Sequence, residues 1–176
     1  VKEKVGPDNV ARKHIAGLKY GEFEAEVGMG ECQPAHDSVK ASIEKNYARR
    51  EGAILSCDFN SNVVMEREFH EALISEVKFP TLDGSSKEPA YLTVKWAPEY
   101  TRDRRGHGKL QPAMAIRQQK KFLPCNFRFT LDGLKCEKVN KVEAFTIKIA
   151  TASDALGDQR DYLLEPSAIE FPEIKV

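Results

Sequence analysis

The feature that most constrains the fold of this chain is an apolar–polar alternation with a period of two, repeated in four separate stretches. Across residues 90–97, Ala90, Leu92, Val94 and Trp96 fall on one face, and Tyr91, Thr93 and Lys95 on the other. Between 123 and 131, Leu123, Cys125, Phe127, Phe129 and Leu131 alternate with Pro124, Asn126, Arg128 and Thr130, the strongest strand pattern in the sequence. Phe23, Ala25 and Val27 alternate with three glutamates, and Phe145, Ile147 and Ile149 with Thr146 and Lys148. Each such strand has one face to bury and one that tolerates water, which suits antiparallel pairing.

The remaining segments fit the same plan. Residues 53–59 and 63–69 are β-prone and flank Asn60-Ser61-Asn62, a turn-forming run, so they predict a hairpin. A helix is expected from Pro34, with Ala35, Val39, Ile43 and Tyr47 on one stripe, about three turns ending near Arg49. Residues 72–79 fit either a strand or a short helical turn, closed by Pro80. Residues 98–121, rich in Arg and Gly, predict a long exposed loop or a hairpin extension. A long strand over 139–149 and short β pieces at 162–164 and 168–171 follow. Residues 1–17 read as an N-terminal arm, and 18–176 as one domain. With about seven or eight strands, one helix and no βαβ alternation, the expectation is a mainly β chain: an antiparallel β-sandwich or barrel with one helix and a long loop.

Composition narrows function mainly by exclusion. Lys plus Arg and Asp plus Glu both number 27 in 176 residues, which argues against a dedicated nucleic-acid packer. No apolar run approaches the roughly 18 residues of a membrane span. Cys32, Cys57, Cys125 and Cys136 form no CxxC pair, and the sequence carries no secretory leader pattern, so reduced thiols are expected. The four histidines lie far apart, and His36-Asp37 at a helix start reads as cap chemistry. Gly28-Met29-Gly30 lacks the third glycine and the Lys-Ser/Thr of a phosphate loop. No catalytic residues, metal ligands or cofactor are expected, and the chain does not read as an enzyme.

Neutrality conceals separated charge. Between 101 and 121, Arg102, Arg104, Arg105, Lys109, Arg117, Lys120 and Lys121 face one acid, Asp103, for a net +6. From 152 to 176, Asp154, Asp158, Asp161, Glu165, Glu170 and Glu173 face Arg160 and Lys175, for a net −4. These segments suit contact between neighbouring copies, with Arg102, Arg104, Arg105, Lys109 and Arg117 on one side and Asp154, Asp158, Asp161 and Glu165 on the other. A solvated loop, or a β-barrel binding module that grips nucleic acid through the basic segment, are the alternative readings.

Several runs together resemble a known family. They are Leu18-Lys19-Tyr20-Gly21-Glu22-Phe23, Lys40-Ala41-Ser42, Gly52-Ala53-Ile54 and Asp58-Phe59-Asn60, then residues 69–87, which begin Phe69-His70-Glu71-Ala72-Leu73-Ile74 and end Leu82-Asp83-Gly84-Ser85-Ser86-Lys87. With residues 90–102 and Asn126-Phe127-Arg128-Phe129-Thr130-Leu131-Asp132-Gly133-Leu134, the pattern resembles the tube proteins of contractile phage tails and related extracellular injection systems. The resemblance implies a β-barrel or sandwich subunit, or a tail-associated relative, that forms hexameric rings stacked into a hollow tube. It further implies sheath, baseplate and tail-terminator partners, nucleic acid only as lumen cargo, and assembly in the bacterial cytoplasm into a virion tail or a released injection particle.

Overall fold

In the computed structural model the described residues are 2–4, 11–13, 18–28, 33–110, 122–155 and 162–176. Eleven strands and one helix occur among them. They are β1 (Lys2–Lys4), β2 (Ala11–Lys13), β3 (Phe23–Gly28), α1 (Gln33–Ile43), β4 (Arg50–Cys57), β5 (Val63–Phe79), β6 (Leu82–Asp83), β7 (Tyr91–Ala97), β8 (Tyr100–Arg105), β9 (Lys141–Val142), β10 (Phe145–Ala155) and β11 (Tyr162–Glu170). All pairings are antiparallel: β1 with β2, β6 with β9, and a seven-stranded sheet of the rest. That sheet does not close, so the fold is mainly β and open, in keeping with a sandwich.

The organising element is β5, 17 residues long, which absorbs the segment 72–79 that the sequence left undecided. Its C-terminal half lies in the path β11-β10-β5-β7-β3, and its N-terminal half pairs with β4 and β8. Only Pro98 and Glu99 separate β7 from β8, so these two follow one edge of β5 while β4 and β10 share the other. At the changeover Glu71 takes a left-handed φ of 52°. A non-glycine residue is costly there, and it falls at the register shift between β5 and β4, where Arg50 opposes Ala72 and Gly52 opposes Phe69.

Burial follows the alternation. Val77 pairs with Val94 and Ile147, and Val94 with Ala25, placing a row of small apolar residues on one face. Val39 of α1 packs with Ile74, Val77, Leu92, Val94 and Ile149, and Ile43, Tyr47, Phe79, Trp96 and Ile169 surround them. The opposite face is charged: Lys95 lies 3.5 Å from Glu76 and 3.8 Å from Glu24. α1 ends at Ile43, short of the expected Arg49. Lys45 adopts φ 62°, and the Asn46 N–H closes the helix on the Ala41 carbonyl at 2.8 Å.

Two expectations change. Residues 123–131 form no strand, although Phe127 and Phe129 are half-buried while Asn126, Arg128 and Thr130 are exposed. The turn at Asp132-Gly133 is made, with Gly133 at φ 81° and a bridge between Leu131 and Leu134. The two arms then diverge around an open cleft of about 470 Å³, so the alternation has no ladder to join. Likewise the segment 98–121, expected as a long loop or a hairpin extension, is in its first part a strand, β8, paired with β5; residues 111–121 lie outside the described residues.

Candidate functional site

The surface with the most to offer a partner is a three-stranded arm, β4-β5-β8, that extends beyond the helix-covered core. Nearly all of β4 is exposed, as are Arg102 to Arg105 of β8. Both faces carry side chains in contact with water, among them Ile54, Leu55, Val64 and Met65. At its end residues 58–62 make a tight turn held by one carboxylate: Asp58 accepts from the N–H groups of Asn60 and Asn62 at 2.8 and 2.9 Å and from Asn62 Nδ2 at 2.8 Å. These donors, with the Asn62 side chain foremost, hold the Asp58 carboxyl below the ordinary carboxylate range. Phe59 stands on this turn wholly in solvent, at 102% relative exposure. Leu110 is tied beside it through its N–H to the Ser61 carbonyl, 2.8 Å.

The basic stretch lies along this arm, where its one acid, Asp103, is taken up by Arg67 of β5 and one of its four described cations, Arg104, meets a carboxylate. Arg67 makes a two-pronged pair with Asp103, Nε to Oδ1 at 2.6 Å and Nη2 to Oδ2 at 2.8 Å, which lowers the Asp103 pKa and raises that of Arg67. Arg104 Nε is 3.1 Å from Glu68 Oε2, and Arg102 lies over the Tyr100 ring, itself stacked on His70. Arg105 and Lys109 stand nearest the tip, opposite Met65 and Asn62.

Where the arm joins the main sheet, a polar joint ties three elements. Arg49 pairs with Glu99 between β7 and β8, donates from Nη2 to the Leu164 carbonyl of β11 at 2.8 Å, and lies 3.7 Å from Glu71. Glu99 in turn accepts from the Leu164 N–H at 3.0 Å, and its own N–H reaches the His70 carbonyl. Side chains here hold together a sheet that its ladders leave open.

Beside the arm root, α1 and the sheet leave an apolar cleft of about 490 Å³, lined by Phe23, Ala25, Pro34, Ala35, Phe69 and Trp96, with Ile54 at its side. Phe23 and Phe69 pack at 4.4 Å between centroids, and Phe23 stacks on Trp96 at 5.4 Å. Glu51 and Arg50 stand at its margin, Arg50 donating from Nη2 to Ser38 Oγ at 2.9 Å, while the Glu24 carboxylate turns to the opposite face, toward Lys95.

Of the residues singled out for subunit contact, Arg102, Arg104, Arg105 and Lys109 lie on or next to the arm, while Asp154 and Glu165 lie on exposed positions of β10 and β11. Arg117, Asp158 and Asp161 fall outside the described residues. The structure therefore places the described basic and acidic members on different strands and pairs none of them with one another. The Arg49–Glu99 joint escaped sequence reading because its members lie 50 positions apart. Phe59, expected at the end of the β-prone run 53–59, lies instead beyond β4, in the turn and fully exposed. Cys57, Cys125 and Cys136 are free, and no helix among the described residues is long and apolar enough to cross a membrane.

Neither family models nor curated proteins nor solved structures yield a match to this chain.

Proposed function

We propose that the chain is a structural subunit that self-assembles into rings stacked as the tail tube of a contractile phage tail or a phage-tail-like injection particle. The observation that carries this reading is the open sheet: β3 and β11 end it, and neither has a second strand neighbour among the described residues. Unpaired strand edges invite pairing with another chain, and a closed ring of copies removes them. The charged outer face around Lys95, Glu24 and Glu76 suits a surface turned to a water-filled lumen, and the projecting arm suits a contact between rings. The sequence resemblance to tube proteins supports the same reading, with sheath, baseplate and terminator proteins as partners and hexameric rings as the expected symmetry.

Sedimentation velocity and negative-stain imaging of the purified full chain test it. Rings or tubes are expected to appear as concentration rises. A species that stays monomeric at every soluble concentration would refute the proposal.

A further inference from the structure

The sequence carries two Asp-Gly pairs, Asp83-Gly84 and Asp132-Gly133, and the fold treats them in opposite ways. Aspartate followed by glycine is the pair most open to attack of the backbone nitrogen on the side-chain carboxyl, because glycine has no Cβ to shield that nitrogen and the fewest limits on its backbone. Attack requires that the glycine N–H, the carboxyl and the space around them all be free.

Asp83-Gly84 is held at all three points. The Gly84 N–H donates to the Asn140 carbonyl at 2.9 Å, so the nitrogen cannot turn toward the carboxyl without breaking that bond. The Asp83 carboxylate accepts from the Ser85 hydroxyl and from the Ser85 N–H at 2.8 Å; these donors, the hydroxyl foremost, hold its pKa below the ordinary range and keep it in the ionised, poorly electrophilic form. A Cβ on Gly84 would press on the Asn140 side chain, and Asp83 itself is paired with Lys141 in the β6–β9 ladder. Asp132-Gly133 is held at none. The Leu134 N–H closes on the Leu131 carbonyl at 3.1 Å, leaving Asp132 and Gly133 as the central pair of a tight turn, with Gly133 at φ 81°. The amide between them lies outside that hydrogen bond, and neither the Gly133 N–H nor the Asp132 carboxylate has a partner among the described residues. Both residues are exposed, and nothing stands within 4 Å of where a Gly133 Cβ would lie.

We propose that Asp132 is a site of spontaneous isoaspartate formation in the folded chain, and that Asn140 and Ser85 protect Asp83 from the same reaction. The Gly133 nitrogen attacks Cγ of the protonated Asp132 carboxyl; an N–C bond forms, a C–O bond breaks, and the hydroxyl leaves with the amide proton as water. The product is a five-membered succinimide. Water then adds to one of its two carbonyls. Opening at Cγ regenerates aspartate, whereas opening at the former backbone carbonyl leaves the chain running through Cβ and Cγ with a free α-carboxylate. No oxidant, reductant or co-reactant besides water takes part. The change lengthens by one methylene the turn that joins the two arms of the cleft of about 470 Å³, and the exposed α-carboxylate is the chemical class that isoaspartyl O-methyltransferases methylate. A single copy of the chain suffices, so the reaction stands apart from the assembly reading.

The test ages the full chain for weeks at neutral pH, warm but below its melting point, beside the same chain unfolded in guanidinium. Electron-transfer fragmentation of proteolytic peptides distinguishes isoaspartate from aspartate at each position, and labelled methyl transfer by an isoaspartyl O-methyltransferase counts the sites independently. In the folded chain isoaspartate should accumulate at position 132 at least about tenfold faster than at 83, since each hydrogen bond that must break first slows the reaction by a factor of several. In the unfolded chain the two rates should converge. Asp132→Asn, a nearly isosteric change to an exposed side chain, should react faster through the same imide with release of ammonia, and its melting temperature should match the parent's. Ser85→Ala should raise the rate at 83, and a rate unmoved by it would overturn the part assigned to Ser85. Equal rates at 132 and 83 in the folded chain, or isoaspartate at 132 only after unfolding, would overturn the proposal as a whole.

Discussion

Replacing Arg49 by Met tests whether side chains hold β11 against the rest of the sheet. Arg49 reaches Glu99, the Leu164 carbonyl and Glu71, and methionine keeps much of its aliphatic bulk while removing all three contacts. An exposed ion pair contributes about 0–1 kcal/mol, whereas removing one partner of a buried pair costs about 3–5 kcal/mol. Here the Arg49 side chain is 31% exposed and that of Glu99 only 11%, so the site lies between those limits. Glu99 would keep one donor, the Leu164 N–H at 3.0 Å, which softens the loss of its cation. The expected destabilisation is about 2 kcal/mol, an average of the two limits. In urea unfolding with a slope of about 2 kcal/mol per molar, the midpoint should fall by about 1 M. A cycle with Glu99→Gln should show coupling of about 1–2 kcal/mol, because the two side chains contact each other and the same residue of β11, Leu164. Faster exchange of the Leu164 amide should accompany it. A midpoint unchanged within about 0.2 M, or strictly additive effects, would show that β11 is held by its ladder to β10 alone, and the reasoning would fail.

Three other outcomes are expected. Gly52→Ala should destabilise by about 1 kcal/mol in the same assay: a Cβ there would overlap the Phe69 ring, and swinging that ring off Phe23 outweighs the usual gain from replacing a strand glycine. A variant as stable as the parent would contradict this, and fluorescence of Trp96, stacked on Phe23, reports the same displacement. Acid should loosen the arm. Asp58 and Asp103 both have folded pKa values below the ordinary one, so their contribution is present above about pH 3.9 and is lost as pH falls through the folded values. Protection of the Asn60 and Asn62 amides, taken relative to their intrinsic exchange at each pH, should therefore fall below about pH 4 and lose that dependence in Asp58→Asn, and a flat protection profile in the parent would count against the carboxylate clamp. Duplex DNA should bind weakly, since the chain has no net charge and Glu66 and Glu68 of β5 stand opposite Arg104 and Arg102 of β8; tight binding with a steep salt dependence would reverse that expectation.

Much of the β architecture was legible because alternation reports burial directly. Leu92 and Val94 are buried and Tyr91 exposed in β7, as their period of two requires, and the hairpin around residues 58–62 follows from its turn residues. The same rule misled at 123–131, where the alternation is intact but no strand lies alongside. A side-chain pattern states which face is wet and does not supply a hydrogen-bonding neighbour. The helix overran for a similar reason: Tyr47 joins the core after the helix has ended, so its place in the apolar stripe extended the periodicity past the Lys45 turn.

By itself the sequence determined the fold class, the single helix, the turn residues and the separation of charge into two segments, all of which depend on neighbours within a few positions. Only the tertiary structure decided that one 17-residue strand pairs with four others, that Arg49 meets Glu99 and Leu164, and that basic residues of β8 face the glutamates of β5. Such contacts join residues from about 20 to more than 100 positions apart, and the closure entropy that opposes them is overcome cooperatively by the whole core. No local pattern records that balance, and for the same reason the cleft beside α1, lined from β3, β4, β5, β7 and the helix, exists only once those elements have packed.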